Sequence, residues 1–328
     1  MNSPRLARRT LLALTASAAL LCSSAALAQS NNTPLRVILP VGAGSAVDTI
    51  VRAAQNALSK ALGGQPVVIE NLAGAGGITG TQALVRAAPD GNTVAFISNN
   101  HAVNPSVFKS LPYDSLNDIT PISVVGGSPF VLVVNPARLP VRNAREMQAL
   151  LKAKAGKFNM GSSGNGTIIH LAGEMFVDAL DAQVQHVPYK GLGPMMADII
   201  SGQVDFGATA VAAVQGHLAS GRLKAIGVMG AQRVASLPEL PTMAEQGFPE
   251  VDVAGWFALV GPKGLPAAQV KRLHDAVLAA FSDVDVKSAM AKQDNFINPT
   301  TPEAAAKFMK SEQERYARLV TKAQIKLD

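Results

Sequence analysis

Four small residues lie between the first predicted strand of the chain and its first long helix pattern. They are Gly42, Ala43, Gly44 and Ser45. Small side chains let the backbone approach a ligand closely. The start of a helix adds unpaired N–H groups and the positive end of the helix dipole. This loop is therefore a candidate binding site for an anionic group such as a carboxylate.

A second loop between a predicted strand and a predicted helix carries more hydrogen-bonding groups. It reads Gly-Ser-Ser-Gly-Asn-Gly-Thr over residues 161–167. Its predicted ligand-binding residues are Ser162, Ser163, Gly164, Gly166 and Thr167. Their hydroxyl and backbone N–H groups are donors to an anion. Two such loops in facing lobes predict a carboxylate clamp across a cleft, although each loop alone is also typical of a tight strand-to-helix turn.

Residues near these loops complete the predicted ligand-binding set: Gly76, Asn99, His101, Tyr189 and Asp205. Gly76 belongs to a glycine-rich stretch, residues 73–77, on the same lobe as the first loop. This stretch lacks the third glycine of a dinucleotide fingerprint, because Thr79 stands there. No Gly-Lys-Ser/Thr follows any glycine loop, so no nucleotide site is predicted.

Enzymatic chemistry has little support in the sequence. The second loop misses the Gly-x-Ser-x-Gly nucleophile pattern because Asn165 occupies the last position. The five histidines have no metal-binding spacing, and Trp256 is predicted to pack in the core. We expect no enzyme activity, no cofactor and no metal. A hydrolase that pairs Ser162 or Ser163 with His101 or His186 is the enzymatic alternative.

The N-terminus predicts export. Basic residues are followed by an apolar run from Leu11 to Leu21, and Ala26-Leu27-Ala28 is a small-x-small cleavage site. Residues 1–28 are therefore predicted to be a signal peptide, and the mature protein is predicted to be periplasmic. The alternatives are a retained anchor or a lipid on Cys22, although Leu21 is too bulky for a lipobox. Because Arg8 and Arg9 form an arginine pair, the sequence leaves open whether export uses the general secretory pathway or the twin-arginine pathway.

Removal of residues 1–28 leaves 300 residues without cysteine, and the loss of three arginines lowers the formal net charge from +6 to +3. Such a chain has no disulfide and is long enough for two domains. The small charge excess argues against nucleic acid as a partner.

Strand and helix patterns alternate along the chain, which predicts an α/β protein with largely parallel sheets. Strands are predicted near residues 35–39, 67–69, 93–98, 130–134, 158–161, 184–187, 223–228 and 257–260. Helices are predicted over 47–62, around 82–88, from about Thr167, around 270–281 and from Pro302, with Thr301 as its N-cap. Breaks near residues 126–129 and 253–256 predict lobe one (29–129 plus 251–328) and lobe two (130–250).

Several segments in order carry a family resemblance: Asp48 and Arg52, Glu70-Asn71, Gly74 to Gly77, Ala87 to Gly91, Gly161 to Thr167, His170 to Glu174, His186 to Gly191, Gly202 to Asp205, and Leu237 to Thr242. Over essentially the whole mature chain they resemble the Bug-type substrate-binding proteins of tripartite tricarboxylate transporters. The resemblance implies a type II periplasmic-binding-protein fold, with two lobes joined by two hinge strands. It also implies a carboxylate gripped by one loop from each lobe, partly through water.

The resemblance further implies delivery of the ligand to integral-membrane transporter subunits, and we expect the receptor to be a monomer. The first loop departs from the family pattern Pro-Phe-x-Pro-Gly-Gly-Ser-Thr-Asp at Val41, Ala43, Ala46 and Val47. A sensor that feeds a membrane kinase would use the same closure and is the alternative. The sequence leaves open whether the ligand is a di- or tricarboxylate, an amino acid or an aromatic acid.

Overall fold

The computed structural model describes residues 33–322, except for the side chain of Ala75. The predicted signal peptide and its cleavage site lie outside the described residues. The strands are β1 (Leu35–Leu39), β2 (Val67–Asn71), β3 (Thr93–Ser98), β4 (Ile119–Val134), β5 (Asn159–Ser162), β6 (Gln185–Pro188), β7 (Phe206–Ala210), β8 (Lys224–Val228), β9 (Ala254–Pro262) and β10 (Phe296–Ile297). The α-helices are α1 (Ala46–Ala61), α2 (Ile78–Val85), α3 (Asn99–Val107), α4 (Ala144–Ala153), α5 (Ile168–Ala179), α6 (Leu192–Ser201), α7 (Val211–Ala219), α8 (Ala267–Ser282), α9 (Val284–Ala291) and α10 (Pro302–Lys322).

The strands form two parallel groups, which place loops of the same kind together. In the first half of the sheet β1 is parallel to both β2 and β3. In the second half β5 is parallel to both β6 and β7. Because the carboxyl ends of parallel strands share one edge, each group collects its strand-to-helix loops at a single edge. The α/β prediction is confirmed.

Strand β4 belongs to both halves. Residues 119–129 pair with β9, and residues 130–134 pair with β7 and β8. At the crossing Pro129 lies opposite Ala254, so β4 and β9 run side by side between the halves. The sequence predicted only residues 130–134 as strand. The strand extends further toward its amino end because bulges between Pro121 and Ser123 and between Val124 and Gly126 accommodate residues that a regular ladder disfavours.

Helix predictions held where a local cap or an apolar stripe decides the structure. Thr301 caps α10 through the Ala304 N–H group, as predicted. The predicted helix around 82–88 instead begins at Ile78, directly after the left-handed Gly77. The helix predicted around residues 270–281 is α8, in which Leu278 is 38% exposed because it is offset by about 100° from its buried neighbour Val277.

Two apolar clusters stabilise the protein. One lies between the sheet of the first half and helices α1 and α8, and the other continues from α3 and α10 into the second half. Trp256 is buried, packs edge-on against Phe308 and donates to Glu312 Oε2 at 2.9 Å, which confirms its predicted core position. None of the helices within residues 33–322 is long and apolar enough to cross a membrane.

Candidate functional site

The loop that follows β1, residues 41–45, is here called loop one. Gly44 adopts a φ of 77°, a left-handed conformation that glycine tolerates, and its N–H group donates to Asp48 Oδ2 at 2.9 Å. Ser45 is the N-cap of α1, because its Oγ accepts from the Asp48 N–H group at 3.3 Å. Gly42, Ala43 and Gly44 are exposed. Loop one therefore presents its backbone to solvent at the start of a long helix.

Asp48 holds loop one in place. Its buried carboxylate accepts hydrogen bonds from Gly44, from Arg52 Nε at 2.8 Å and from Asn71 Nδ2 at 2.9 Å. Burial by itself raises the pKa of Asp48, but these hydrogen bonds and the Arg52 charge outweigh it and hold the pKa below its ordinary value. Within the described residues the N–H groups of Gly42 and Ala43 have no protein acceptor. These two groups remain as donors for a ligand.

Loop two comprises residues 162–167, from the last residue of β5 to the N-cap of α5. A helix was predicted from about Thr167, and Thr167 caps α5 by accepting from the His170 N–H group at 3.3 Å. Its hydroxyl donates to Gly164 O at 2.8 Å. The Ser163 hydroxyl lies 3.1 Å from that of Thr167. Gly164 and Gly166 have positive φ values of 134° and 70°. The two half-buried hydroxyls thus form one polar cluster at the helix start.

Two histidines support loop two at both ends. His186 Nε2 lies 2.7 Å from Ser162 Oγ, and the Gly166 N–H group donates to His170 Nδ1 at 3.1 Å. The two imidazole rings stack with their centroids 3.7 Å apart and their planes inclined by 9°. Burial, and then the neighbouring His170, lower the pKa of His186 to about 4. His186 is therefore neutral near pH 7, where its ring stacks on that of His170 beside loop two.

The same pair offers ligand atoms for a metal ion. Nitrogen and oxygen atoms of His170, Glu174 and His186 lie within 4.8 Å of one another, and zinc accepts such donors. However, His170 accepts from Gly166 at Nδ1, so its proton is on Nε2, which lies 3.3 Å from Glu174 Oε1. Nearly parallel rings also direct their lone pairs side by side instead of toward one point. The observed arrangement favours a hydrogen-bonded support over metal ligation.

Asn99 and His101, both predicted ligand contacts, are directed into the protein. Asn99 is 1% exposed, and its amide bonds to Ala254 O, Tyr316 OH and the Trp256 N–H group. His101 is also buried and donates from Nε2 to Ser115 O at 2.7 Å. Burial lowers the pKa of His101 to about 4. Both side chains therefore connect α3 to its own half of the molecule.

Asn100, between those two residues, faces the other half. Its Oδ1 accepts from the Ile168 N–H group of α5 at 2.9 Å. Helix α3 also holds the glycine-rich stretch, because Asn104 Nδ2 donates to Gly76 O at 3.1 Å. Since α3 follows β3 at the same sheet edge as loop one, the Asn100 contact brings loop two to that edge.

Tyr189 and Asp205 occupy different ends of β5. The Tyr189 N–H group donates to Ser162 O at 3.0 Å, so Tyr189 lies beside loop two. Its hydroxyl donates to Asp198, and burial together with that carboxylate raises the pKa of Tyr189 to about 12. Asp205 instead accepts from the Asn159 N–H group at 2.8 Å. That position is about 10 Å along β5 from loop two, so the structure does not bring Asp205 to the other predicted ligand contacts.

The amino-acid sequence of this chain matches the model of a known receptor family. The family model described as "Tripartite tricarboxylate transporter family receptor" matches residues 50–325. The chain belongs to this receptor family. Among curated relatives, Protein BugT of Bordetella pertussis is 35% identical over 90% of each chain. Family members are periplasmic substrate-binding receptors and not enzymes.

Several solved structures of periplasmic binding proteins have the same fold as this chain. The periplasmic binding protein BugD has a TM-score of 0.81 and 31% identity, over 90% of this chain and 99% of its own. A Rhodopseudomonas palustris protein with adipate has a TM-score of 0.83 and 27% identity, over 90% and 98%. MatC from the same species, with bound malate, has a TM-score of 0.79 and 26% identity, over 88% and 98%. These likenesses confirm the two-lobed periplasmic-binding-protein fold.

The receptor does contain a serine close to a histidine, as the hydrolase alternative supposed. The Ser162 Oγ to His186 Nε2 distance of 2.7 Å suits a nucleophile and its base. However, Ser162 has no exposed surface, and its hydroxyl also bonds within the loop to Gly164. A substrate cannot reach it in this arrangement. The pair therefore has a structural role in this receptor.

Sequence reasoning did not select three residues that lie beside loop two or the start of α5: Asn100, His170 and Glu174. His170 follows the cap Thr167 by three positions, and Glu174 follows His170 by four. The helix period therefore predicts that His170 and Glu174 lie on the same face of α5 as Thr167, near loop two. Asn100 gave no comparable signal. Only the packing of α3 decides which of its first three side chains turns toward the second half.

Proposed function

We propose that this receptor is an extracytoplasmic solute-binding protein that captures a small carboxylate between loops one and two. It delivers that ligand, as a monomer, to a tripartite tricarboxylate-type membrane transporter. The observation that carries the proposal is that each loop begins a helix and that the Asn100–Ile168 hydrogen bond joins α3, at the sheet edge of loop one, to the start of α5 beside loop two. Relatives with adipate and with malate support a carboxylate as the ligand class.

The proposed lobes are residues 29–129 plus 251–328 and residues 130–250. The change of β4 from pairing with β9 to pairing with β7 and β8 supports the first boundary. A carboxylate between the lobes would accept from backbone N–H groups and hydroxyls, because neither loop contains an arginine. Hydrogen bonds to a charged group contribute roughly 1.5–3 kcal/mol each. Three or four of them support micromolar binding after ordering costs.

A thermal-shift panel tests the ligand class. Adipate, malate and related acids are compared with their neutral amide or ester analogues. We expect at least one acid to raise the melting temperature and its neutral analogue to have little effect, because donors arranged for an anion fit a neutral group poorly. A ligand at about 100 times its Kd adds roughly 2.7 kcal/mol of stability.

Loop-two variants test the place of binding in the same panel. Ser163→Ala and Thr167→Val should reduce the ligand-induced shift. Thr167→Val also removes the helix cap, at about 1 kcal/mol, so each shift is measured against the same variant without ligand. Thr167→Ser keeps the hydroxyl and Asn165→Ala changes only the exposed loop tip, so both controls should behave like the wild type. A neutral or cationic best ligand, or unchanged acid binding in both variants, would refute the clamp.

The proposed export signal makes a separate prediction. If cleavage follows Ala28, the periplasmic fraction should contain a chain that begins at Gln29, because Ala26 and Ala28 supply the small residues that the peptidase requires. Intact-mass analysis of that fraction measures the start directly. A chain that retained Met1, or one with a lipid on Cys22, would contradict the proposal.

A further inference from the structure

The amide of Asn100 has a defined orientation. Its Oδ1 accepts from the Ile168 N–H group at 2.9 Å. Ile168 is the first residue of α5, so the amide oxygen occupies the positive end of the helix that loop two introduces. Because the backbone N–H group can only donate, the oxygen of the amide must face it. This contact therefore also determines the direction of the amide nitrogen.

The Nδ2 group of Asn100 carries two N–H donors on the other branch of the amide. Within residues 33–322 no protein acceptor lies within hydrogen-bonding distance of it, and the side chain is only half-buried. The neighbouring Asn99 differs in both respects, since it is 1% exposed and its Nδ2 donates to Ala254 and Tyr316. The free donors of Asn100 thus lie where loop two meets α3.

We propose that Asn100 is a ligand-binding residue that acts from lobe one. Its oxygen is held by α5, and its amide nitrogen donates to the carboxylate between loops one and two. The identity of the ligand class rests on the proposed function. The contact needs both lobes, because α5 orients the amide while α3 carries it. Asn100 therefore couples binding of the acid to closure of the lobes.

Two substitutions distinguish the acceptor role of the Asn100 amide oxygen from the donor role of its amide nitrogen. Asn100→Ala removes both the acceptor and the donors. Asn100→Asp keeps an oxygen for the Ile168 N–H group but replaces the donors with a negative charge. We expect Asn100→Ala to weaken adipate or malate binding by about 10-fold to 100-fold, as for one lost hydrogen bond to a charged group. Asn100→Asp should weaken it further because the new charge repels the acid.

Hydrogen exchange of the ligand-free proteins gives a second readout. The Ile168 amide should exchange faster in Asn100→Ala and should keep wild-type protection in Asn100→Asp, which restores the acceptor. Asn165→Ala, the same residue type at the exposed tip of loop two, is the control and should change neither readout.

The outcomes distinguish this inference from the proposed function. If the wild type binds an acid and both Asn100 variants bind it equally well, Asn100 is not a ligand contact. Unchanged Ile168 exchange in Asn100→Ala would overturn the contact between lobes. A wild type that bound none of the acids would refute the proposed function, and with it the ligand contact, whereas the exchange experiment would still decide the Asn100–Ile168 hydrogen bond.

Discussion

Acidification from about pH 6.5 to about pH 4 should remove about 3 kcal/mol of folding free energy through His101 alone. Burial lowers the pKa of this histidine to about 4 in the folded protein, whereas an unfolded histidine titrates near 6.5. Between these values the unfolded chain binds a proton that the folded chain does not. Stability therefore rises with pH across this window and is lost as the pH falls. Urea denaturation at several pH values measures the slope.

The cause of this lowered pKa suggests the matched variant. His101 Nε2 donates to Ser115 O, while its buried Nδ1 has no partner among the described residues. His101→Gln can keep an amide donor for Ser115 without a titrating ring, so its stability should depend less on pH than that of the wild type. His186 retains its own lowered pKa in that variant and preserves part of the slope. Equal slopes in the two proteins would contradict the assignment to His101.

Gly127→Ala should destabilise the protein by about 3 kcal/mol, at the upper end of the usual overpacking range. Gly127 lies in β4 opposite Trp256 of β9, at the crossing between the halves. A Cβ atom there would overlap the Gly255 carbonyl oxygen and the Phe296 ring. The backbone oxygen cannot rotate away as a side chain can, so β4 and β9 would have to separate. Chemical denaturation of the variant measures the loss.

Gly193→Ala is the matched control for Gly127→Ala. Gly193 lies near the start of α6, and a Cβ atom at that position would meet no heavy atom within 4 Å. We expect it to be neutral or slightly stabilising, because alanine has the higher helix propensity. Small-angle scattering of Gly127→Ala with and without an acid should also show less compaction than the wild type, since the crossing strands are the proposed hinge. Wild-type stability in Gly127→Ala would refute the close approach.

Other contacts join the two halves away from the loops. The Asp294 carboxylate accepts from Gln215 Nε2 at 2.7 Å and from the Ser236 N–H group at 3.1 Å. On another flank, Lys322 Nζ lies 2.6 Å from Asp178 Oδ2. The partners in each pair are far apart in sequence. Their pairing depends on how the lobes are oriented, and no local pattern predicts it.

The sequence predicted well wherever short-range physics decides the outcome. Strands β1 and β3 have the predicted bounds, α5 begins beside Thr167 where a helix was predicted, and Thr301 caps α10 through its hydroxyl group. Caps, strand alternation and glycine turns depend on residues within a few positions of one another. The family segments are likewise read along the chain. The fold class, the receptor family and the two candidate loops therefore followed from the sequence alone.

The tertiary structure alone decided which side chains face the loops. Asn99, Asn100 and His101 are consecutive polar residues after one strand, and nothing local ranks them. The packing of α3 against β9 and α10 directs Asn99 inward and leaves Asn100 to meet α5. Asp205 lies at the amino end of β5, away from loop two, because β7 pairs in parallel with β5. Such assignments depend on the register of distant strands and the rotation of packed helices, which are properties of the whole fold.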